Sequence, residues 1–236
     1  MQKPIKMQSS NCNAEILRLL EKKSSTKQKV YRKSGEVFSD LKGQLKIISS
    51  GLEESIEKID SNVKVVFKEK SVFEAQIIFS GDVLHFNHHS NVFTFDKGHP
   101  LWKSNYIRQD KKRAYFGMIN IYNFLADSFK YNRANDVGVL LGRIFVNCEG
   151  HFFVEGRRQL GFLYRDVTKD VLDKEKLRNI IETSMIYALN FDLTVPEFKD
   201  SMLVSVKQLE TLNNEQQIRT SKSLGFRFHT NMQKID

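Results

Sequence analysis

The chain has 236 residues, 40% of them hydrophobic and 28% charged, with a formal net charge of +9. That is enough apolar material for a true core. No stretch reaches the ~18 uninterrupted apolar residues of a membrane span, and residues 1–13 are too polar for the apolar centre of a secretory signal, so the expected setting is the cytoplasm. The two cysteines, Cys12 and Cys148, lie 136 positions apart. They provide neither a disulfide framework nor a paired-thiolate metal site, and both are expected to be reduced.

The charge is uneven. Residues 1–62 hold 12 basic and 8 acidic side chains, residues 101–135 hold 7 and 2, and residues 171–215 hold 5 and 8. A basic field of this kind attracts polyanions, nucleic acid first and anionic lipid second. A Lys-, Asn-, Ile- and Phe-rich composition is also what an A+T-rich genome encodes, so the lysine excess alone does not identify a ligand.

From the N-terminus, residues 1–12 are expected to fray, and a short amphipathic segment follows over 14–23. Phe38, Leu41, Leu45, Ile48, Leu52, Ile56 and Ile59 then recur at steps of three and four, which predicts a helix over 34–59 with one apolar face. That face packs on the protein's own sheet or pairs with a second copy, because the same spacing makes a coiled-coil seam. Gly35, Gly43 and Gly51 weaken this helix without an evident reason.

From Val63 the period changes to two, which predicts strands. A primed turn at Gly81 and Asp82 pairs Phe79 with Leu84, and a loop over 88–91 pairs Phe86 with Phe93. One sheet face is then built from Phe73, Ala75, Ile77, Phe79, Leu84, Phe86, Phe93 and Phe95. A hairpin across Cys148, Glu149 and Gly150 sets Arg143 opposite Glu155, and 159–164 adds another strand. Farther on, Asp170 or Asp173 caps a helix to about residue 190 with Leu177, Ile180, Ile181, Ser184, Met185 and Ala188 inward. Pro196 closes that unit, and 202–212 is a short strand or helix.

The predicted architecture is α+β: a central antiparallel twisted sheet of about seven to nine strands, with N- and C-terminal helices packed on one face. The organisation is a helical N-terminal extension over 1–62, an antiparallel β core over 63–170, a C-terminal helical region over 171–215 and a basic tail over 216–236.

Candidate chemistry is sparse. His85, His88, His89 and His99 cluster in sequence, but the predicted registers scatter them over turn and surface positions, so no metal site is expected. Asp136 with Glu155, Gly156 and Arg157 resembles the degenerate Asp and Glu-x-Lys pattern of restriction-type nucleases, with Arg replacing Lys. The hairpin register would hold those carboxylates ~23 Å apart at ~3.3 Å per residue, too far for one metal ion. No serine-hydrolase elbow, phosphate loop or zincin helix is present, and no cofactor is expected.

The strongest binding candidate is the break between sheet halves. Trp102, Tyr106 and Tyr115 alternate there with Lys103, Arg108, Lys111, Lys112 and Arg113, which supplies stacking faces beside phosphate partners. The leading reading is a non-enzymatic nucleic-acid-binding or regulatory protein that uses this basic loop. A nucleic-acid-processing hydrolase with dispersed catalytic residues is one alternative. A protein-interaction subunit, dimerising through the helix at 34–59, is the other.

Overall fold

The computed structural model describes residues 9–192 together with 195, 197, 198 and 206. A helical rod opens it. Helix α1 (Ser9–Leu19) runs through one wide turn (Leu20–Ser24), where Ser25 N–H donates to Leu20 O, into α2 (Ser25–Glu57). The rod starts well before position 34 because Thr26 and Val30 are buried as well as Val37, Phe38, Leu41, Leu45 and Ile48. It stops short of Ile59, which is 81% exposed. Just beyond, the Asp60 carboxylate accepts the Asn62 N–H, a local bond that competes with the helical ladder. Glu53 accepts the N–H of Val65 and ties the helix end to the first strand.

Six strands follow, paired antiparallel in sequence order: β1 (Val65–Ser71), β2 (Glu74–Phe79), β3 (Asp82–His88), β4 (Gly117–Leu125), β5 (Val139–Val146) and β6 (Phe152–Gly156). The β2–β3 turn sits at Ser80 and Gly81, with Ser80 at φ 54°, so Phe79 faces Asp82 and Ile77 faces Leu84. The predicted register was two residues out. A slip of two leaves every side chain on its predicted face, because the strand period is two.

The partner of β3 corrects the sequence reading. Phe86 faces Ile121 on β4, not Phe93. The nine residues of β4 match the full length of β3, whereas the backbone of 92–96 pairs with the sheet only through one bridge between Phe93 and Phe116. The segment between His88 and Gly117 is therefore an insertion, and it crosses to the other face of the sheet.

Two cores result. On the helical face, Ala75, Ile77, Phe86, Ile121, Ile144, Val146 and Val154 pack under α2 and under α6 (Lys174–Leu189). Gly117 permits the close approach of α2, since a Cβ there would stand 2.3 Å from the Cβ of Ser34. On the opposite face, Phe116, Phe145 and Phe153 are sealed by Leu101, Ile107, Phe95 and Trp102 from the insertion. Phe95 thus belongs to this second core and not to the face predicted for it.

The sheet has six strands instead of seven to nine because 159–164 does not join it. That segment folds as a short helix, α5 (Leu160–Leu163), entered through Arg158 at φ 48°. Gly161 lies so close over Gly156 that a Cβ would meet its carbonyl oxygen at 2.2 Å. The returning chain still covers the edge of β6, where Tyr164 O accepts from Val154 N–H at 2.6 Å.

Asp173 caps α6 by accepting the Lys176 N–H at 2.8 Å, and all six side chains predicted to face inward are buried. The apolar stripe at Phe38, Leu41, Leu45 and Ile48 is consumed by the protein's own core. Two short helices complete the described chain, α3 (Asn105–Gln109) within the insertion and α4 (Ala126–Lys130) after β4. No helix among the described residues is long and apolar enough to cross a membrane. Pro196, the element expected over 202–212 apart from Val206, and the basic tail over 216–236 lie outside the described residues.

Candidate nucleic-acid interface

The insertion is built from three short turns of helix: Pro100–Lys103, α3 and Lys111–Ala114. Local bonds start two of them. The His99 ring accepts the Leu101 N–H at 3.2 Å, and Asp110 accepts the Lys112 N–H at 2.9 Å. Burial of Leu101, Ile107 and Ala114 then pins the segment to the sheet.

Of the eight side chains singled out by sequence, three are engaged in structural contacts, four are exposed and one, Tyr115, is half-buried. Trp102 is half-buried, and its indole N–H donates to Phe95 O at 3.2 Å and Asp96 O at 3.0 Å. Tyr106 packs its ring 4.6 Å from His151 and 4.3 Å from the Arg113 guanidinium. Its hydroxyl donates to Glu149 at 2.7 Å and accepts from Asn147 at 2.9 Å. Burial, reinforced by the Glu149 carboxylate, pushes the Tyr106 phenol well above its ordinary pKa.

Arg113 closes this network. Its Nε donates to Glu149 at 3.0 Å and its Nη1 to Tyr106 O at 3.0 Å. The hydrogen bond to Glu149 raises the guanidinium pKa. Burial alone would raise the Glu149 carboxyl, but the bonds from Tyr106 and Arg113 outweigh it and hold the group below its ordinary value. Tyr106 and Arg113 thus tie the insertion to the β5–β6 turn, and Trp102 ties the insertion to itself.

Lys103, Arg108, Lys111 and Lys112 remain. All four are exposed. Among the described residues, Arg113 is the one basic side chain of 101–115 engaged in an ion pair. Tyr115 is half-buried, with the Lys27 ammonium 6.0 Å from its ring centre.

That last contact shows what reading one segment at a time missed. Helix α2 runs beside the insertion and the β5–β6 turn: Lys27 meets Tyr115, and Lys33 Cε lies 3.3 Å from where a Cβ on Gly150 would stand. The excess of basic residues over 1–62 was visible in sequence. Its proximity to 103–115 was not, because a tertiary contact brings them together.

The other candidates do not assemble. Among the described residues no group of three or more His, Cys, Asp or Glu could hold a metal ion. His88, expected at the surface, is 4% exposed, with Nε2 2.9 Å from Ser34 Oγ and the rings of Tyr31, Phe38 and Phe73 around it. The Ser34 hydroxyl donates to Tyr31 O at 3.0 Å, so it accepts from His88 Nε2–H. The pair is held in place by these rings and its own hydrogen bond. His85 bonds with Gln76 at 3.1 Å, and the other two clustered histidines bond to nearby backbone N–H groups.

Asp136 is engaged with Ser128 at 2.7 Å and Arg133 at 3.8 Å, while Glu155 pairs with Arg143 in the predicted register. Each carboxylate of the nuclease-like pattern therefore has its own partner. A solvent-open cleft of about 470 Å³ is lined by Ser71, Phe73, Glu74, Asn87, His88, His89 and Ser90. It carries a carboxylate and no Lys or Arg, which suits it poorly to a polyanion. Compared with protein-family models, curated proteins and solved structures, the chain matches none of them.

Proposed function

We propose that the protein binds nucleic acid without chemical action on it, using the exposed cations of the insertion to hold phosphates. One observation carries this reading. Lys103, Arg108, Lys111 and Lys112 are exposed and without an ion-pair partner among the described residues, on a segment pinned to the sheet by Leu101, Ile107 and Ala114. Cations held on a rigid platform lose little entropy when a polyanion arrives, and they release condensed counterions from it. Such contacts fix position and orientation but do not by themselves read sequence. A regulatory role in the cytoplasm is the setting that fits this activity.

The test is a salt titration of affinity by fluorescence anisotropy. Replacing Lys103, Arg108, Lys111 and Lys112 together with Gln is expected to flatten the plot of log affinity against log salt by roughly 2.8 to 3.6, at ~0.7 to 0.9 per contact. An unchanged slope in a folded variant removes the insertion from the interface. Divalent-metal-dependent cleavage of the probe would instead favour the hydrolase alternative.

A further inference from the structure

We infer that the ligand is double-stranded, gripped along one surface that the N-terminal half of α2 shares with the insertion. This rests on the nucleic-acid reading and narrows it.

Two observations lead there. The first concerns stacking. Recognition of single strands relies on aromatic faces open to bases. The three aromatics of the segment are otherwise engaged: the Trp102 N–H is spent on two backbone carbonyls, the Tyr106 ring lies against His151 and Arg113, and Tyr115 is half-buried beside Lys27. What the surface offers most fully is positive charge, from the exposed Lys103, Arg108, Lys111 and Lys112. A duplex, with one phosphate charge per ~1.7 Å of axis, repays such a surface best.

The second observation concerns reach. Lys27 meets the insertion at Tyr115, the residue that follows the Lys111–Ala114 turn, and Lys33 lies over Gly150 of the neighbouring β5–β6 turn. Lys27 and Lys29 are both exposed, while Thr26 and Val30 on either side of the pair anchor the helix inward. The helix therefore presents cations at fixed positions against those of the loop. Lys22 and Lys23, also exposed, extend the array one turn farther, ~1.5 Å per residue along the rod. An array carried along a helical rod suits a stiff, regular polyanion.

The experiment compares the full chain with Lys27→Gln/Lys29→Gln, with Lys111→Gln/Lys112→Gln, and with a charge-matched control, Lys46→Gln/Lys68→Gln. The control residues are exposed, and Lys46 lies ~25 Å along α2 from Lys29. Probes are a labelled DNA duplex, each of its single strands, and phosphatidylserine vesicles, titrated with salt.

The expected result is tighter binding of duplex than of either strand, with the Lys27/Lys29 variant flattening the duplex salt slope by about 1.8 and the control leaving it unchanged. Equal or tighter binding of single strands overturns the inference. So does a slope that the loop variant flattens and the helix variant does not, and in both cases nucleic-acid binding itself stands. Failure of the wild type to bind any nucleic acid, with or without vesicle binding, overturns both.

Discussion

Tyr106 and Glu149 are 43 residues apart in the chain and 2.7 Å apart across the second core, hydroxyl to carboxylate. The bond joins the insertion to the β5–β6 turn, with Asn147 and Arg113 completing it. Tyr106→Phe deletes the hydroxyl and leaves the ring in place. Chemical denaturation should show a loss of about 1 kcal/mol. Hydrogen exchange should quicken in 100–115 ahead of the sheet, because the insertion then opens as a unit of lower stability.

The hairpin register gives a sharper thermodynamic test. Arg143 faces Glu155 across β5 and β6, and both side chains are partly exposed. Reversing the two charges together should recover stability that either single reversal removes, with a coupling of about 0.2 to 1 kcal/mol. Strictly additive single effects in urea unfolding would contradict the pairing.

The two faces of the sheet separate the phenylalanines. Phe86 is wholly buried under α2, so Phe86→Ala should cost about 3 to 5 kcal/mol. Phe93 is half-buried at the single bridge to Phe116, and its truncation should cost clearly less. The exposed Thr94→Ala should stay within about 0.5 kcal/mol of the wild type.

Stability should fall with acidity before any carboxylate titrates. His88 and His85 are both held neutral by burial, which lowers their folded pKa from the ordinary 6.5. In that case the unfolded chain binds more protons. Stability is full above about pH 6.5 and is lost as pH drops toward the lowered folded values. His88→Gln should flatten part of that decline in denaturant midpoints measured across pH 5 to 8.

How far the sequence could be read follows from the range of each contact. The inward residues of α6, its Asp173 cap, and the Arg143 and Glu155 register were legible because period and turn spacing are local. The β2–β3 register slipped by two residues, since Ser80 adopts a left-handed φ where Gly81 seemed the natural first turn residue. The β3 partner was misread because a strand of seven can skip 28 residues to reach a longer match, and hydrophobic alternation carries no record of that choice. His88 was misplaced for a related reason: its polar side chain is satisfied by Ser34, 54 positions away. At the candidate interface, Lys103, Arg108, Lys111 and Lys112 could be picked out by charge, but the diversion of Tyr106 and Arg113 to Glu149 depends on a fold-level contact.

The most direct measurement is the anisotropy of labelled DNA and RNA, single- and double-stranded, titrated with wild-type protein over a range of salt. Binding should appear at low ionic strength and weaken linearly in log salt, with a slope set by at least Lys103, Arg108, Lys111 and Lys112, about 2.8 or steeper. Absence of salt-sensitive binding to every probe at low ionic strength would contradict nucleic-acid binding. An interaction-subunit role, visible as a concentration-dependent mass, would then take its place.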